Sequence, residues 1–165
     1  MSILYPIIES EDGPLISYSQ VTVYDVMEAH QKGLSCYEIC KTYDLLPIQL
    51  ESAIEYMAQN RRALESGLKN LHQNGHFNNN GHDKSYSVIE TGIGPVISDS
   101  RTTVYDVMQV YDEGFSRYDI CRTYNLKPRQ LEAALEYIQE HRETLESELV
   151  DILIKKPKMS VTTGQ

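Results

Sequence analysis

The apolar positions of this chain follow one plan twice. In "PIIESEDGPLIS" and again in "SVIETGIGPVIS", short apolar runs flank a Gly-Pro pair, which predicts a small β-hairpin. A first helix is predicted from Thr22 to Gly33 and from Thr103 to Gly114, where the threonine hydroxyl caps a turn carrying Asp25 or Asp106 and the glycine closes the last turn. A second helix follows at once, capped by Ser35 with Glu38 or by Ser116 with Asp119. Its apolar side holds Ile39, Cys40 and Tyr43, or Ile120, Cys121 and Tyr124. Leu45 or Leu126 plugs the turn after it, and Pro47 or Pro128 opens a third helix at a position where its missing N–H is harmless.

The third helix reads as long. Leu131, Leu135, Ile138, Arg142, Leu145, Leu149 and Ile152 recur at steps of four and three, and Leu50, Ile54, Met57, Arg61, Leu64, Leu68 and Leu71 match them in the first half. This is a heptad seam with one arginine in it. The start of the seam must cover the first two helices of its own unit, but its end runs past so small a core and predicts a cover from the other copy. Arg61, Leu64, Leu68, Arg142, Leu145 and Leu149 are therefore the expected repeat-pairing residues, with Glu65 and Glu146 placed one turn on to balance the arginines. The expected result is an intramolecular pseudo-dimer, and the same seam leaves homo-oligomers open.

The two halves align without a gap. "GPLISYSQVTVYDVM" from Gly13 returns as "GPVISDSRTTVYDVM" from Gly94, an offset of 81 residues that holds from Ile8 with Ile89 to Leu68 with Leu149. The predicted fold is mainly α: two tandem three-helix, helix-turn-helix-like units, each with a short N-terminal β-hairpin and a long C-terminal helix. The units are expected at residues 5–72 and 88–154, joined by an Asn- and Gly-rich flexible linker over 73–87 and followed by a disordered tail over 155–165.

Composition narrows the chemistry. A formal net charge of -9 repels phosphate on average, so a nucleic acid could be held only by a local basic patch. No apolar run is long enough to span a membrane and the N-terminus lacks a signal-peptide pattern, which predicts a cytoplasmic protein without a membrane partner. Three cysteines, Cys36, Cys40 and Cys121, show neither a CxxC pair nor metal-ligand spacing and suit a reducing compartment. Cys40 and Cys121 fall on the inner side of helix two, where a thiol packs rather than reacts. His72, His76 and His82 fit no ordered ligand motif, and His30 and His141 become Tyr111 and Asn60 in the opposite copy. Neither a metal nor a cofactor is expected, and no enzyme. With 12 Tyr but 2 Phe and no Trp, the chain favours half-buried helix surfaces or an interface, where a ring packs and a hydroxyl finds a partner.

The order Pro14, Ile16, Val21, Val23, Gly33, Ser35, Glu38, Ile39, Tyr43, Leu45, Ala53, Ile54, Tyr56 resembles the domain of unknown function family 433, whose members are described as VapB-like antitoxins of helix-turn-helix or homeodomain-like fold. The second copy repeats it as Pro95, Ile97, Thr102, Val104, Gly114, Ser116, Asp119, Ile120, Tyr124, Leu126, Ala134, Leu135 and Tyr137. Where that family carries Gly-Thr-Arg, the chain has Tyr18-Ser19-Gln20 and Asp99-Ser100-Arg101, so only the second copy keeps the arginine. The resemblance implies a non-catalytic regulatory module, in some members an antitoxin that masks a PIN-like nuclease and works as a dimer.

Two surfaces are candidates for the partner. Leu46, Ile48 and Gln49 at the start of helix three form an apolar-edged face that would desolvate cheaply against a protein. In the second copy Arg117, Arg122, Lys127 and Arg129, opposed by Asp119, give a net +3 over residues 116–131, against -1 over the matching residues 35–50. With Arg101 and Gln130 they form the alternative, a DNA-reading surface in the second copy alone. The expected function is protein binding through the helix-turn-helix-like repeats, with weak or no nucleic-acid binding.

Overall fold

The computed structural model describes residues 5–74 and 84–155. Its elements run β1 (Ile7–Ser10), β2 (Gly13–Ile16), α1 (Val23–Gln31), α2 (Cys36–Tyr43), α3 (Pro47–Gln59), α4 (Arg61–Asn74), β3 (Val88–Thr91), β4 (Gly94–Ile97), α5 (Val104–Asp112), α6 (Arg117–Tyr124) and α7 (Pro128–Lys155). The fold is mainly helical with two small antiparallel strand pairs, β1 on β2 and β3 on β4. His76 and His82, most of the expected linker and nearly all of the expected tail lie outside the described residues. The linker's ends are structured, since α4 continues to Asn74 and Tyr86 hydrogen-bonds to Asp44.

Each hairpin turns where the sequence places Gly-Pro. Gly13 and Gly94 hold φ of 112° and 111°, and a Cβ there would meet the ring of Tyr24 or Tyr105 at 2.4 or 2.6 Å. Ile16 and Ile97 point into the two cores, and the chain then bends at Tyr18 and Asp99, both with positive φ, at the position where the resembling family carries glycine. The Thr22 and Thr103 caps form as expected, each hydroxyl accepting from the N–H of Asp25 or Asp106 at 3.2 Å. Ser35 and Ser116 cap α2 and α6 in the same manner. Asp44 and Asn125 end these helices in the left-handed conformation, which their short polar side chains tolerate better than most.

The long third helix is interrupted. Asn60 breaks the first copy into α3 and α4 with φ -120° and ψ 22°, and His141 kinks α7 at φ -122° and ψ 21°. The Asn60 amide donates to the Tyr56 carbonyl at 3.0 Å and caps α3, while the His141 ring lies against Tyr137 with centroids 4.4 Å apart. A straight seam was needed to reach the other copy; the bends return it to its own unit. Leu64 and Leu68 are buried with Ile16, Val26 and Leu50, and Leu145 and Leu149 join Ile97, Val107 and Leu131. The expected pairing of the units through these leucines is thereby corrected. Arg61 bonds Glu65 as expected, and Arg142 bonds both Glu146 and Asp112.

The first and second halves of the chain solve one packing problem differently. The Tyr105 hydroxyl donates to Glu148 at 2.7 Å. At the matching place in α4 stands Gly67, where a Cβ would lie 2.1 Å from the Tyr24 hydroxyl.

Gly13→Ala and Gly94→Ala should each lower stability by ~1–3 kcal/mol, because the added methyl meets both a strained φ and a tyrosine ring. Urea unfolding followed by circular dichroism reads this, and unchanged midpoints would contradict the hairpin geometry.

Candidate functional site

The α2-turn-α3 segment and the α6-turn-α7 segment are where helix-turn-helix proteins carry their reading surface. Here the two face each other: α2 packs on α6 and α7, and α3 packs on α6. The contacts are reciprocal. Tyr37 of α2 packs against the second core and its hydroxyl donates to Glu132 at 3.3 Å, while Tyr118 of α6 packs against the first core and donates to Glu51 at 3.4 Å. Lys41 bonds Glu132 and Arg122 bonds Glu51, both at 2.8 Å. Every one of these partners matches its counterpart at the 81-residue offset, the signature of an isologous contact in which residue i meets j and j meets i.

One corner departs from this symmetry. Lys127 extends its ammonium to Asp44 at 2.8 Å, and the Asp44 side chain is only 8 % exposed. The Tyr86 hydroxyl donates to the same carboxylate at 3.0 Å. Beside them Arg129 donates to the backbone oxygens of Lys41 and Lys84. The matching corner has Leu46 for Lys127 and Asn125 for Asp44, a pair that cannot form an ion pair.

These contacts relocate most of the residues expected to touch DNA. Arg122, Lys127 and Arg129 hold the first half of the chain, and the Arg117 guanidinium acts on the Tyr37 hydroxyl, opposing the rise of its pKa. Gln130 is 4 % exposed, with its amide donating to the Ser98 carbonyl at 2.9 Å and its oxygen accepting from the Lys127 N–H. Arg101 stands exposed at the hairpin corner, and Arg117 and Arg122 are exposed as well. The partner face predicted at the start of α3 is only partly on the surface. Leu46 and Ile48 are half-buried, and Gln49 is buried, tying α3 to the Ser17 carbonyl at 3.0 Å. Both glutamines are struts between a helix start and a hairpin corner.

Cys40 and Cys121 are fully buried on the abutting helices α2 and α6. Burial pushes both thiols up, Cys121 to about 12, with Glu132 adding to the shift. Burial likewise raises the Tyr37 and Tyr118 hydroxyls, helped by the carboxylates of Glu132 and Glu51. A thiol buried in this way is held in its protonated form. Among the described residues no group of three metal-ligating side chains converges, and no helix is long and apolar enough to cross a membrane.

Open grooves lie on the outside of the described residues, two of them at matching places. One of about 450 Å³ lies among Tyr111, Arg117, Leu135, Ile138, Gln139 and Arg142. The other, about 300 Å³, lies among Met27, His30, Ile54, Met57, Arg61 and Glu65. They share offset-matched positions, since Tyr111, Leu135, Ile138 and Arg142 correspond to His30, Ile54, Met57 and Arg61. Ile54, Tyr111 and the neighbouring Phe115 are large apolar side chains at least 40 % exposed. The sequence pattern had assigned Ile54 and Leu135 to the seam; the bends at Asn60 and His141 leave them facing these concavities.

The raised thiol and phenol values set an alkaline limit. A group whose folded pKa exceeds its unfolded one stabilises the fold fully below the unfolded value and loses that contribution as pH rises to the folded one. Melting temperature should therefore hold up to pH ~9, the ordinary thiol range, and fall as pH climbs toward the folded Cys121 value of about 12. In the native protein at pH 8 a thiol reagent should leave Cys40 and Cys121 unmodified, and rapid labelling of either would contradict the packing.

The family described as "Protein of unknown function (DUF433)" matches residues 94–138, which span β4, α5, α6 and the part of α7 before its kink. No curated protein and no solved structure matches the chain. The segment from β4 to the start of α7 is thus similar to that family.

Proposed function

We propose that this chain is a tandem duplication of an antitoxin-like helix-turn-helix unit, folded into its own pseudo-dimer and acting as a non-enzymatic protein-interaction module. The observation that carries this reading is the destination of the cations. Arg122, Lys127 and Arg129, which a DNA reader would turn outward, lie against Glu51, Asp44 and the Lys41 carbonyl. The module keeps the shape of a reading motif and uses its face for internal assembly. The surface we assign to a partner is the pair of outer grooves that Ile54 and Tyr111 line, with exposed Phe115 near Tyr111 in sequence, a chemistry that suits apolar side chains of a protein segment. A PIN-like nuclease is the partner class that the antitoxin resemblance points to. Three free cysteines fit a cytoplasmic setting.

The second reading is a transcriptional regulator that binds DNA through the second repeat. The exposed Arg101 and Arg117 are what favours it.

Full-length protein bearing Ile54→Glu and Tyr111→Glu should fold as the parent does, because both side chains are exposed, yet lose any protein captured by the parent from the native cell. Retention of the same partner would show that the grooves do not bind it. Fluorescence anisotropy with DNA from upstream of the gene should give at physiological salt no tighter binding than the ~10⁻⁴–10⁻⁶ M of non-specific contact. Submicromolar, sequence-selective binding abolished by Arg101→Glu with Arg117→Glu would favour the regulator instead.

A further inference from the structure

We infer that the corner formed by Asp44 and Lys127 makes the interface selective: the helix-turn-helix face of the first unit accepts the face of the second unit and rejects a second copy of itself. The inference rests on the packing of the two units and not on the groove reading.

The reciprocal contacts cannot discriminate between pairings. A first unit meeting another first unit would bring Tyr37 and Lys41 to Glu51, and two second units would bring Tyr118 and Arg122 to Glu132. Each homotypic pair thus reproduces the chemistry of the tyrosine-carboxylate and cation-carboxylate contacts. Were these the whole interface, a chain with two such units could pair in three ways and link to other chains without limit.

The unsymmetrical corner separates the three. In the observed pairing the buried Asp44 carboxylate meets the Lys127 ammonium and the Tyr86 hydroxyl. Two first units would instead set Asp44 against Leu46 at both corners, leaving two carboxylates out of water with no cation. Two second units would set Lys127 against Asn125 at both corners, and each ammonium would lose its counter-charge. Both wrong pairings are penalised by an unpaired charge at a desolvated place, which is how specificity is built against a close competitor. Tyr86 also donates to Asp44, but Tyr5 stands at its counterpart, so the ion pair and not this hydroxyl separates the pairings. The occupant of the first unit's face is therefore a second unit, from the same chain or, by exchange, from another copy.

The test uses the full chain. A protease site inserted between Gly75 and Gly81 is cut after folding, isotope-labelled and unlabelled cut proteins are mixed, and native mass spectrometry reads the pairs. The expected result is heterotypic pairs in excess of the statistical 1:2:1 mixture by at least ~10-fold, the ratio that one well-formed discriminating contact supplies. The double variant Asp44→Asn with Lys127→Leu carries at each site the residue already present at its counterpart, Asn125 or Leu46, and so removes the asymmetry without a new side-chain type. It should drift to the statistical mixture. Statistical pairing in the parent, exclusive heterotypic pairing in the variant, or separation of the cut halves into monomers would each overturn the inference. In the uncut chain Lys127→Leu should lower the urea midpoint more than the double variant does, and simple additivity of the two changes would also count against it.

Discussion

The organisation of this molecule depends on two tyrosines that leave their own cores. Tyr37 and Tyr118 each sit on a helix of one unit and pack against the hydrophobic cluster of the other. Because the rings are half-buried and each hydroxyl has a carboxylate to donate to, the exchange removes apolar surface without orphaning a polar group. Lys41 and Arg122 then neutralise those carboxylates. Exposed ion pairs are worth little singly, with a median of ~0–1 kcal/mol, so the exchanged rings must do most of the holding while the charges set register.

That arrangement determines what the α2–α3 and α6–α7 segments leave to solvent. A reading helix needs its N-terminal face free to enter a groove, whereas the starts of α3 and α7 lie against α6 and α2. The basic character of residues 116–131, conspicuous in sequence, is the complement of acidic residues in the first half. Charge asymmetry between the repeats is thus a property of a joint between unlike halves.

The locally encoded parts of the fold were legible in the sequence. Hairpin turns, threonine and serine caps, the plugs Leu45 and Leu126, and the starts at Pro47 and Pro128 all follow from side chains acting within a few residues. The break at Asn60 and the kink at His141 were not legible, because the apolar steps of four and three continue through both positions and mimic an uninterrupted seam. Periodicity reports which side is apolar and is blind to a bend that keeps the phase. The joint was half-visible. Abundant tyrosine pointed to an interface, and the Tyr that follows the cap in both copies was a usable signal, but Glu51 and Glu132 looked like ordinary solvated residues on an outer helix face. Gln49 and Gln130 misled for the opposite reason, since a polar residue near a helix start reads as exposed unless its strut to Ser17 or Ser98 is known.

The central claim is that the two helix-turn-helix faces cover one another, and the ring contacts of the exchanged tyrosines test it most directly. Isotope-edited NMR on the full-length protein, with methyl groups labelled, should give cross-relaxation from the Tyr118 ring to methyls of the first core, such as Ile39 or Leu50. It should also give cross-relaxation from the Tyr37 ring to methyls of the second core, such as Ile120 or Leu131. Ring contacts confined to each tyrosine's own unit would contradict the account and return both faces to solvent.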